Sequence, residues 1–294
     1  MSKVINKSDI TKLFPKRDEN SNKGDCGRVL VVAGSYDGAS AMCGAAYLAA
    51  CAAYRTGAGI VEIFTARENY SPVASRLPEA VYTLYGGEEK ESVSERLAER
   101  IAMADSVVIG CGLGKSDISK EIVKAALKVV DKPLVIDADA LNIIAEDSSL
   151  LSFLDEKQRK RTVITPHPGE MSRLCKNNIG DILSDPVSIA QNFASLQGIT
   201  CLLKGHRTVI SDGDNTYINH SGNAGMATAG MGDVLAGMIG AMLADRKRDG
   251  DFSYLVAAVA YIHGLCGDRA AQKCGEYSLM ASDLIDQIAD AIKQ

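Results

Sequence analysis

The chain has 294 residues, of which 46% are hydrophobic and 23% charged, with a formal net charge of -5. That is ordinary globular composition, long enough for a large core in one α/β domain or in two. An acidic balance with no basic block argues against nucleic-acid binding, and 5% aromatics with no Trp argue against a base-stacking platform.

In chain order, residues 1–26 are polar and mixed, with a short helix predicted at Ser8–Leu13. Residues 27–35, G-R-V-L-V-V-A-G-S, form an apolar run between glycines and predict a buried parallel strand. An Ala-rich helix is predicted over 41–56, then a strand over 60–64. Residues 66–80 read as a loop with helical pieces, and 81–84 as a strand. An amphipathic helix at 91–103, a strand at 106–110, a helix at 118–130, a strand at 133–137 and a helix starting over 138–144 follow. Beyond them come a strand at 162–165, helices near 171–175 and 186–197, and strands at 200–203, 208–211 and 216–219. The last third is predicted helical, over 228–244, 254–272 and 279–292.

Strand and helix alternate from residue 27 to 244, which predicts a doubly wound α/β fold: a mostly parallel sheet with helices on both faces. Ligands in such folds bind at the carboxyl ends of strands. The loops at 34–40, 110–116, 137–142, 165–170, 204–208 and 223–233 all fall at such ends, and their agreement points to one site.

Eight cysteines are present and none forms a C-x-x-C pair. Most lie among small apolar residues, where a free thiol packs as a small apolar group. The N-terminus carries no apolar signal core and no apolar run reaches the ~18 residues of a membrane span, so a reduced cytoplasm is expected.

Residues 223–233, N-A-G-M-A-T-A-G-M-G-D, lead directly into an apolar stretch over 234–244. A glycine-rich loop feeding a helix N-terminus presents free N–H groups and the positive dipole end to an anion. Asp233 lies at the mouth of that pocket. It reads as a general base for a hydroxyl attacking a phosphoryl group, or as a helix N-cap, and the two are compatible.

The remaining loops each carry a functional and a plainer reading. G-C-G-L-G at 110–114 lacks the spacing of a dinucleotide fingerprint and reads as a tight turn or a ligand contact. In D-A-D at 137–139, Asp137 is a candidate for placing a metal ion and Asp139 for capping the next helix. His167 and Glu170 stand in T-P-H-P-G-E, where Glu170 fits a first-turn capping role at least as well as a functional one. Lys204 follows a strand in K-G-H-R-T and is a candidate phosphate contact, against a solvated hairpin loop. His206, His220 and His263 show no metal-ligand spacing, so no zinc site is predicted.

Together these stretches, with K-G-D-C-G-R-V-L-V-V-A-G-S at 23–35 and G-A-A-Y-L-A-A-C-A-A-Y-R-T-G-A-G at 44–59, resemble the ADP- or ATP-dependent NAD(P)H-hydrate dehydratases of the ribokinase-like superfamily. The resemblance implies a single ribokinase-like domain over 1–294, a three-layer sandwich, cytoplasmic and tetrameric. It implies a lyase that repairs hydrated NADH and NADPH (NADHX and NADPHX), with ADP or ATP as co-substrate and Mg²⁺ as cofactor. ADP is the nucleotide expected. Asp233 is then the base; Ala45, Gly112, His167 and Asp233 contact the hydrated dinucleotide. Lys204, Gly205, His206, Arg207, Thr208 and Gly232 hold the nucleotide, and Gly230, Met231 and Gly232 supply the anion hole. No metal ligand is fixed by the resemblance; Glu170 is a candidate to reach Mg²⁺ through the phosphate it accompanies, in addition to Asp137.

Two positions depart from the family pattern. Cys111 replaces the proline of G-P-G-L-G, and Ala229 replaces a glycine, so position 229 is expected not to need positive φ. The epimerase domain often fused upstream is not expected, since about twenty residues precede the first motif, against ~50 for a small domain. Ribokinase-like vitamin kinases, acting on hydroxymethylpyrimidine, thiazole or pyridoxal, are the alternative, but they carry T-P-N-x-x-E where this chain has His167. A nucleotide-sensing protein without catalysis is disfavoured, because binding phosphate gains nothing from a carboxylate nearby.

Overall fold

The computed structural model describes residues 3, 5, 12–87, 92–245 and 251–293. Among these described residues nine strands form one sheet: β1 (Arg28–Val32), β2 (Ile60–Ala66), β3 (Val81–Tyr85), β4 (Ser106–Ile109), β5 (Leu134–Ile136), β6 (Thr162–Ile164), β7 (Thr200–Leu203), β8 (Val209–Ser211) and β9 (Thr216–Ile218). Their order is β3-β2-β1-β4-β5-β6-β7-β8-β9. All pairings through β6–β7 are parallel, and β7–β8 and β8–β9 are antiparallel. This is the expected α/β architecture. The chain moves outward from β1 to β3 and then returns to place β4 on the other side of β1. That reversal opens a crevice at the carboxyl ends of β1 and β4.

Alternation along the strands divides the core in two. Val29, Val31, Ile63 and Val108 face one cluster, shared with the helices Cys43–Thr56, Met231–Ala244, Phe252–Cys274 and Ala281–Ile292. Leu30, Val32, Phe64 and Ile109 face the other, shared with Val93–Met103, Asp117–Val129, Ala138–Glu146 and Pro186–Gln197. Side chains two apart share a face, so near-continuous apolar strands feed both layers.

Local signals set the helix ends. Gly57 closes the helix Cys43–Thr56 at φ 115, and its N–H bonds Ala53 O and Tyr54 O. Ser92 and Glu95 form a capping box that starts the next helix at Val93 rather than Glu91. The predicted helix at Ser8–Leu13 lies largely outside the described residues. The helix expected from Thr228 begins instead at Met231, after a short 3-10 turn at Ala224–Met226.

The apolar helix Met231–Ala244 is spent inside this chain. It is wedged between the sheet and the helix Cys43–Thr56 so tightly that a Cβ on Gly237 would lie 2.0 Å from Ala49 O. Its all-round apolarity therefore follows from burial within this core, and no intersubunit interface is needed to explain it. Among the described residues no helix is long and apolar enough to cross a membrane.

Candidate active site

The site grows from the start of the helix Met231–Ala244. Gly230 is its N-cap at φ 90, a left-handed conformation that glycine takes without cost. A Cβ there would lie 2.6 Å from Leu48 Cδ1. Ala229 does not have positive φ, in keeping with the expectation from sequence. A first helical bond runs from Val234 N–H to Gly230 O. The amides of Met231, Gly232 and Asp233 thus precede the helical ladder, at the positive end of the dipole.

Asp233 occupies the third helical position. The N-cap reading is therefore corrected: Gly230 holds that place, and no side chain caps this helix. Burial pushes the Asp233 carboxyl up to about 6, and the charges of Asp137 and Asp139 add to the rise. The Cys111 thiol and Lys204 pull it back. The Sγ of Cys111 and a carboxylate oxygen from each of Asp137 and Asp233 all lie within 4.8 Å of one another.

Asp137 is buried at the end of β5, and its Oδ1 accepts a 2.8 Å hydrogen bond from Lys204 Nζ. Burial disfavours the charged lysine, but Asp137 and Glu170 outweigh it and hold the Lys204 pKa above its usual value. Gly232 lets this ammonium come close, since a Cβ there would lie 3.2 Å from Nζ. Asp139 does not cap its helix. It sits in the first turn, and its Oδ2 accepts the Gly114 N–H at 2.8 Å, tying the 110–114 turn to the start of the helix Ala138–Glu146.

His167 and Glu170 close a capping box at the start of the helix Pro168–Cys175. The His167 N–H donates to Glu170 Oε2 at 2.8 Å, and Gly169 N–H donates to His167 Nδ1 at 3.0 Å. Nδ1 is thus the acceptor, which leaves the proton on Nε2, 3.3 Å from Glu170 Oε1. Burial, then Lys204 and Arg173, lowers the His167 pKa. Burial raises Glu170 to about 7. The plainer reading of Glu170 is thus the observed geometry, and it does not remove the carboxylate from the neighbourhood of Lys204.

A cavity of about 810 Å³ opens beside these groups. Lys204, Gly205, His206, Thr208 and Gly232 line it, as do His167, Met231 and Thr228. Arg207 is exposed and outside the lining. Ala45 and Gly112 meet each other elsewhere: a Cβ on Gly112 would lie 2.7 Å from Ala45 Cβ. Gly230, Asp233, Ala45 and Gly112 do not line the cavity, so the residues expected at the nucleotide and those expected at the dinucleotide separate across Gly232 and Asp233, with His167 on the cavity side.

Sequence reasoning missed two supports. His263 is buried, and its Nε2–H donates to Met231 O at 3.0 Å. Burial lowers its pKa to about 4, so the ring is neutral. Asp268 accepts Gly222 N–H and Asn223 Nδ2–H, each at 3.0 Å, and so fastens the glycine-rich loop to the helix Phe252–Cys274. Both contacts join residues far apart in sequence, and only the lack of metal spacing was readable for His263.

The family model described as NAD(P)H-hydrate dehydratase matches residues 29–290. A bifunctional NAD(P)H-hydrate repair enzyme from Moorella thermoacetica is 39% identical over 279 residues, covering 93% of this chain and 50% of the relative. The chain thus spans about half the length of the curated relatives it matches first. An ADP-dependent (S)-NAD(P)H-hydrate dehydratase from Neisseria meningitidis serogroup B is 34% identical over 283 residues, covering 96% of this chain and 88% of the relative. The crystal structure of an ADP/ATP-dependent NAD(P)H-hydrate dehydratase from Bacillus subtilis, co-crystallized with ATP/Mg²⁺, superposes with a TM-score of 0.78 at 28% identity, covering 97% of this chain and 96% of that one. A match of this extent, on a ribokinase-like fold with the loops in family order, means that the chain belongs to the NAD(P)H-hydrate dehydratase family.

Proposed function

We propose that the protein is an ADP-dependent dehydratase of hydrated NADH and NADPH, with Asp233 as its general base. One observation carries the reading: Lys204, Met231 and Gly232 line a cavity of about 810 Å³, and Asp233 follows Gly232 in the same first helical turn, where the charge of Lys204 acts on it. A diphosphate in that cavity has its charge met by Lys204 and by the amides of Met231 and Gly232. Gly205, His206 and Thr208 form the wall for the rest of the nucleotide, with Arg207 at its exposed rim. Ala45, Gly112 and His167 bound the hydrated ring, and Gly230 shapes the anion hole.

The chemistry follows from that placement. Asp233 takes the proton of the ring hydroxyl as its oxygen attacks the β-phosphorus of ADP. The bond from that phosphorus to the oxygen of AMP breaks, and AMP leaves. The C–O bond of the phosphorylated ring then breaks, phosphate departs, and loss of a proton from the adjacent carbon restores the double bond. The products are the reduced cofactor, AMP and phosphate. A carboxyl at about 6 suits the first step, being mostly ionised at neutral pH yet basic enough to take a proton.

The residues present fit a magnesium ion brought in on the phosphates. Mg²⁺ is satisfied by one or two carboxylates with phosphate oxygens and water. Glu170 is a buried carboxyl whose charge, after that of Asp137, acts on Lys204, and it would hold the ion. Bound there, Mg²⁺ would neutralise charge building on the phosphates. The Neisseria relative's name supports ADP, and the ATP/Mg²⁺ of the Bacillus crystals supports the ion. A single ribokinase-like domain, a homotetramer and a cytoplasmic setting complete the proposal. Sedimentation tests the tetramer.

The deciding experiment mixes the protein with hydrated NADH, Mg²⁺ and ADP or ATP, and follows the absorbance of the reduced ring. Recovery that requires nucleotide, with ADP the better, supports the reading. Recovery at full rate without nucleotide overturns it.

A further inference from the structure

We propose that Cys111 is a positioning residue for Asp233: its buried S–H donates to the carboxylate and leaves one oxygen turned to the substrate. The inference rests on the reading of Asp233 as the base.

The geometry begins with the backbone. Cys111 O accepts the Gly34 N–H at 2.9 Å, and Gly110 N–H donates to Val32 O at 3.1 Å, so the turn is fixed to the end of β1. Gly110 is pressed against β5, where a Cβ would lie 1.9 Å from Asp137 O. Cys111 is 0% exposed, and its Sγ stands within 4.8 Å of the carboxylates of both Asp137 and Asp233. Asp137 already has an ammonium partner in Lys204 at 2.8 Å. Among the described residues Asp233 has no such ion pair, and the Cys111 thiol is a neutral donor whose Sγ lies within 4.8 Å of its carboxylate.

The direction of the proton is set by chemistry. An ionised carboxylate only accepts. Burial, then the charges of Asp233 and Asp137, holds the Cys111 thiol well above its usual range, so it remains S–H at neutral pH. The groups acting on Asp233 are Asp137 and Asp139, which raise its pKa, and Cys111 and Lys204, which lower it. Removing the thiol donor therefore leaves a carboxyl that is harder to ionise and free to turn.

The test has two readouts. The first is the pH dependence of kcat/KM. Cys111→Ala is expected to raise the apparent pKa of the acid limb by roughly 0.5–1 pH unit, the equivalent of one net hydrogen bond. Cys111→Ser, whose hydroxyl still donates, is expected to keep the limb near its original position. A Cys111→Ala limb that does not move, with only the thermal midpoint lowered, overturns the proposal and makes Cys111 a packing residue. The second readout needs no turnover. The infrared S–H stretch in the wild-type minus Cys111→Ser difference spectrum is expected at a hydrogen-bonded frequency and to shift towards the free-thiol value in Asp233→Ala. A band already at the free-thiol value overturns the contact, even if Cys111→Ala does not fold. Full turnover by Asp233→Asn would remove the base reading while the infrared result still decides the contact.

Discussion

Lys204 and Asp137 stand 67 residues apart in sequence and form a 2.8 Å pair in which the acid is buried. Lys204 therefore has two roles: it faces the cavity, and it neutralises a carboxylate the fold has taken out of water. Read from sequence, replacing Lys204 with Ala threatens nucleotide binding and little else. The pair changes that expectation.

Lys204→Ala should weaken nucleotide binding by roughly 1.5–3 kcal/mol, the worth of a charge-assisted contact. It should also destabilise the fold, because Asp137 is left buried and unpaired. Breaking such a pair from one side costs about 3–5 kcal/mol, and the partial exposure of Lys204 puts the expectation at or below the lower end. The double variant Lys204→Ala with Asp137→Asn should recover part of the stability and none of the affinity. Denaturant unfolding and calorimetry on the same preparations check both halves. Full stability in Lys204→Ala alone would mean that water solvates Asp137 in its place.

His263 predicts a pH dependence of stability. Its folded pKa is lowered to about 4, below the ordinary histidine value of 6.5, so between those values the unfolded chain binds the proton and the folded chain does not. The contribution is fully present above pH 6.5 and is lost as pH falls through that window towards 4. Asp233, raised to about 6, works in the opposite sense over part of the same range. The variant comparison isolates the histidine: His263→Gln should reduce the fall in stability between pH 6.5 and 4 relative to wild type. Parallel stability curves for the two proteins would show that His263 is protonated in the fold.

Packing gives a sharper case at Gly237. A Cβ there would lie 2.0 Å from Ala49 O, a backbone atom that cannot swing aside. Gly237→Ala should therefore force apart the helices Met231–Ala244 and Cys43–Thr56, at a cost of about 1–3 kcal/mol or more. Activity should fall with it, since this displacement moves Asp233. A thermal midpoint equal to wild type would mean the helix pair shifts freely.

What was legible in the sequence followed the reach of each signal. Runs such as R-V-L-V-V and S-V-V-I announced strands because a parallel sheet buries both faces. Glycine at 57 and the Glu170 spacing marked helix ends because caps are local. The short helices Glu156–Arg159 and Ile179–Ser184 gave no period long enough to detect. The candidate site was legible as a set of loops at strand ends, but not as a set of contacts. Lys204 on Asp137, His263 on Met231 O and Asp139 on Gly114 N–H join distant segments, and no local pattern encodes them. Asp233 was misplaced as a possible cap because aspartate caps so well. The helix start is set instead by Gly230 in the left-handed region, which a sequence with several nearby glycines does not single out.

Asp233→Asn is the decisive substitution, and its position in the helix sharpens what it tests. Asp233 is the third helical residue and Gly230 is the cap, so no capping bond is lost or kept in the exchange. Asn has nearly the same shape and cannot take a proton as a carboxylate does. Turnover should fall by roughly 10²–10⁴-fold, the usual worth of a general base. Stability should hold or rise at pH 8, because the wild-type carboxyl, raised to about 6 chiefly by burial, is ionised there at a cost the amide does not carry. Nucleotide affinity should hold or tighten, since a negative charge beside the phosphates is gone. In the wild type, kcat/KM should decline as pH drops through about 6, where Asp233 takes up its proton, and the residual activity of the variant should lose that limb. Turnover, calorimetric affinity and thermal midpoint on one preparation separate these effects. A variant keeping more than about a tenth of wild-type turnover would lie outside the general-base range. The proton would then go to another group at this helix start, and Asp233 would be left as a half-buried carboxylate with no part in the chemistry.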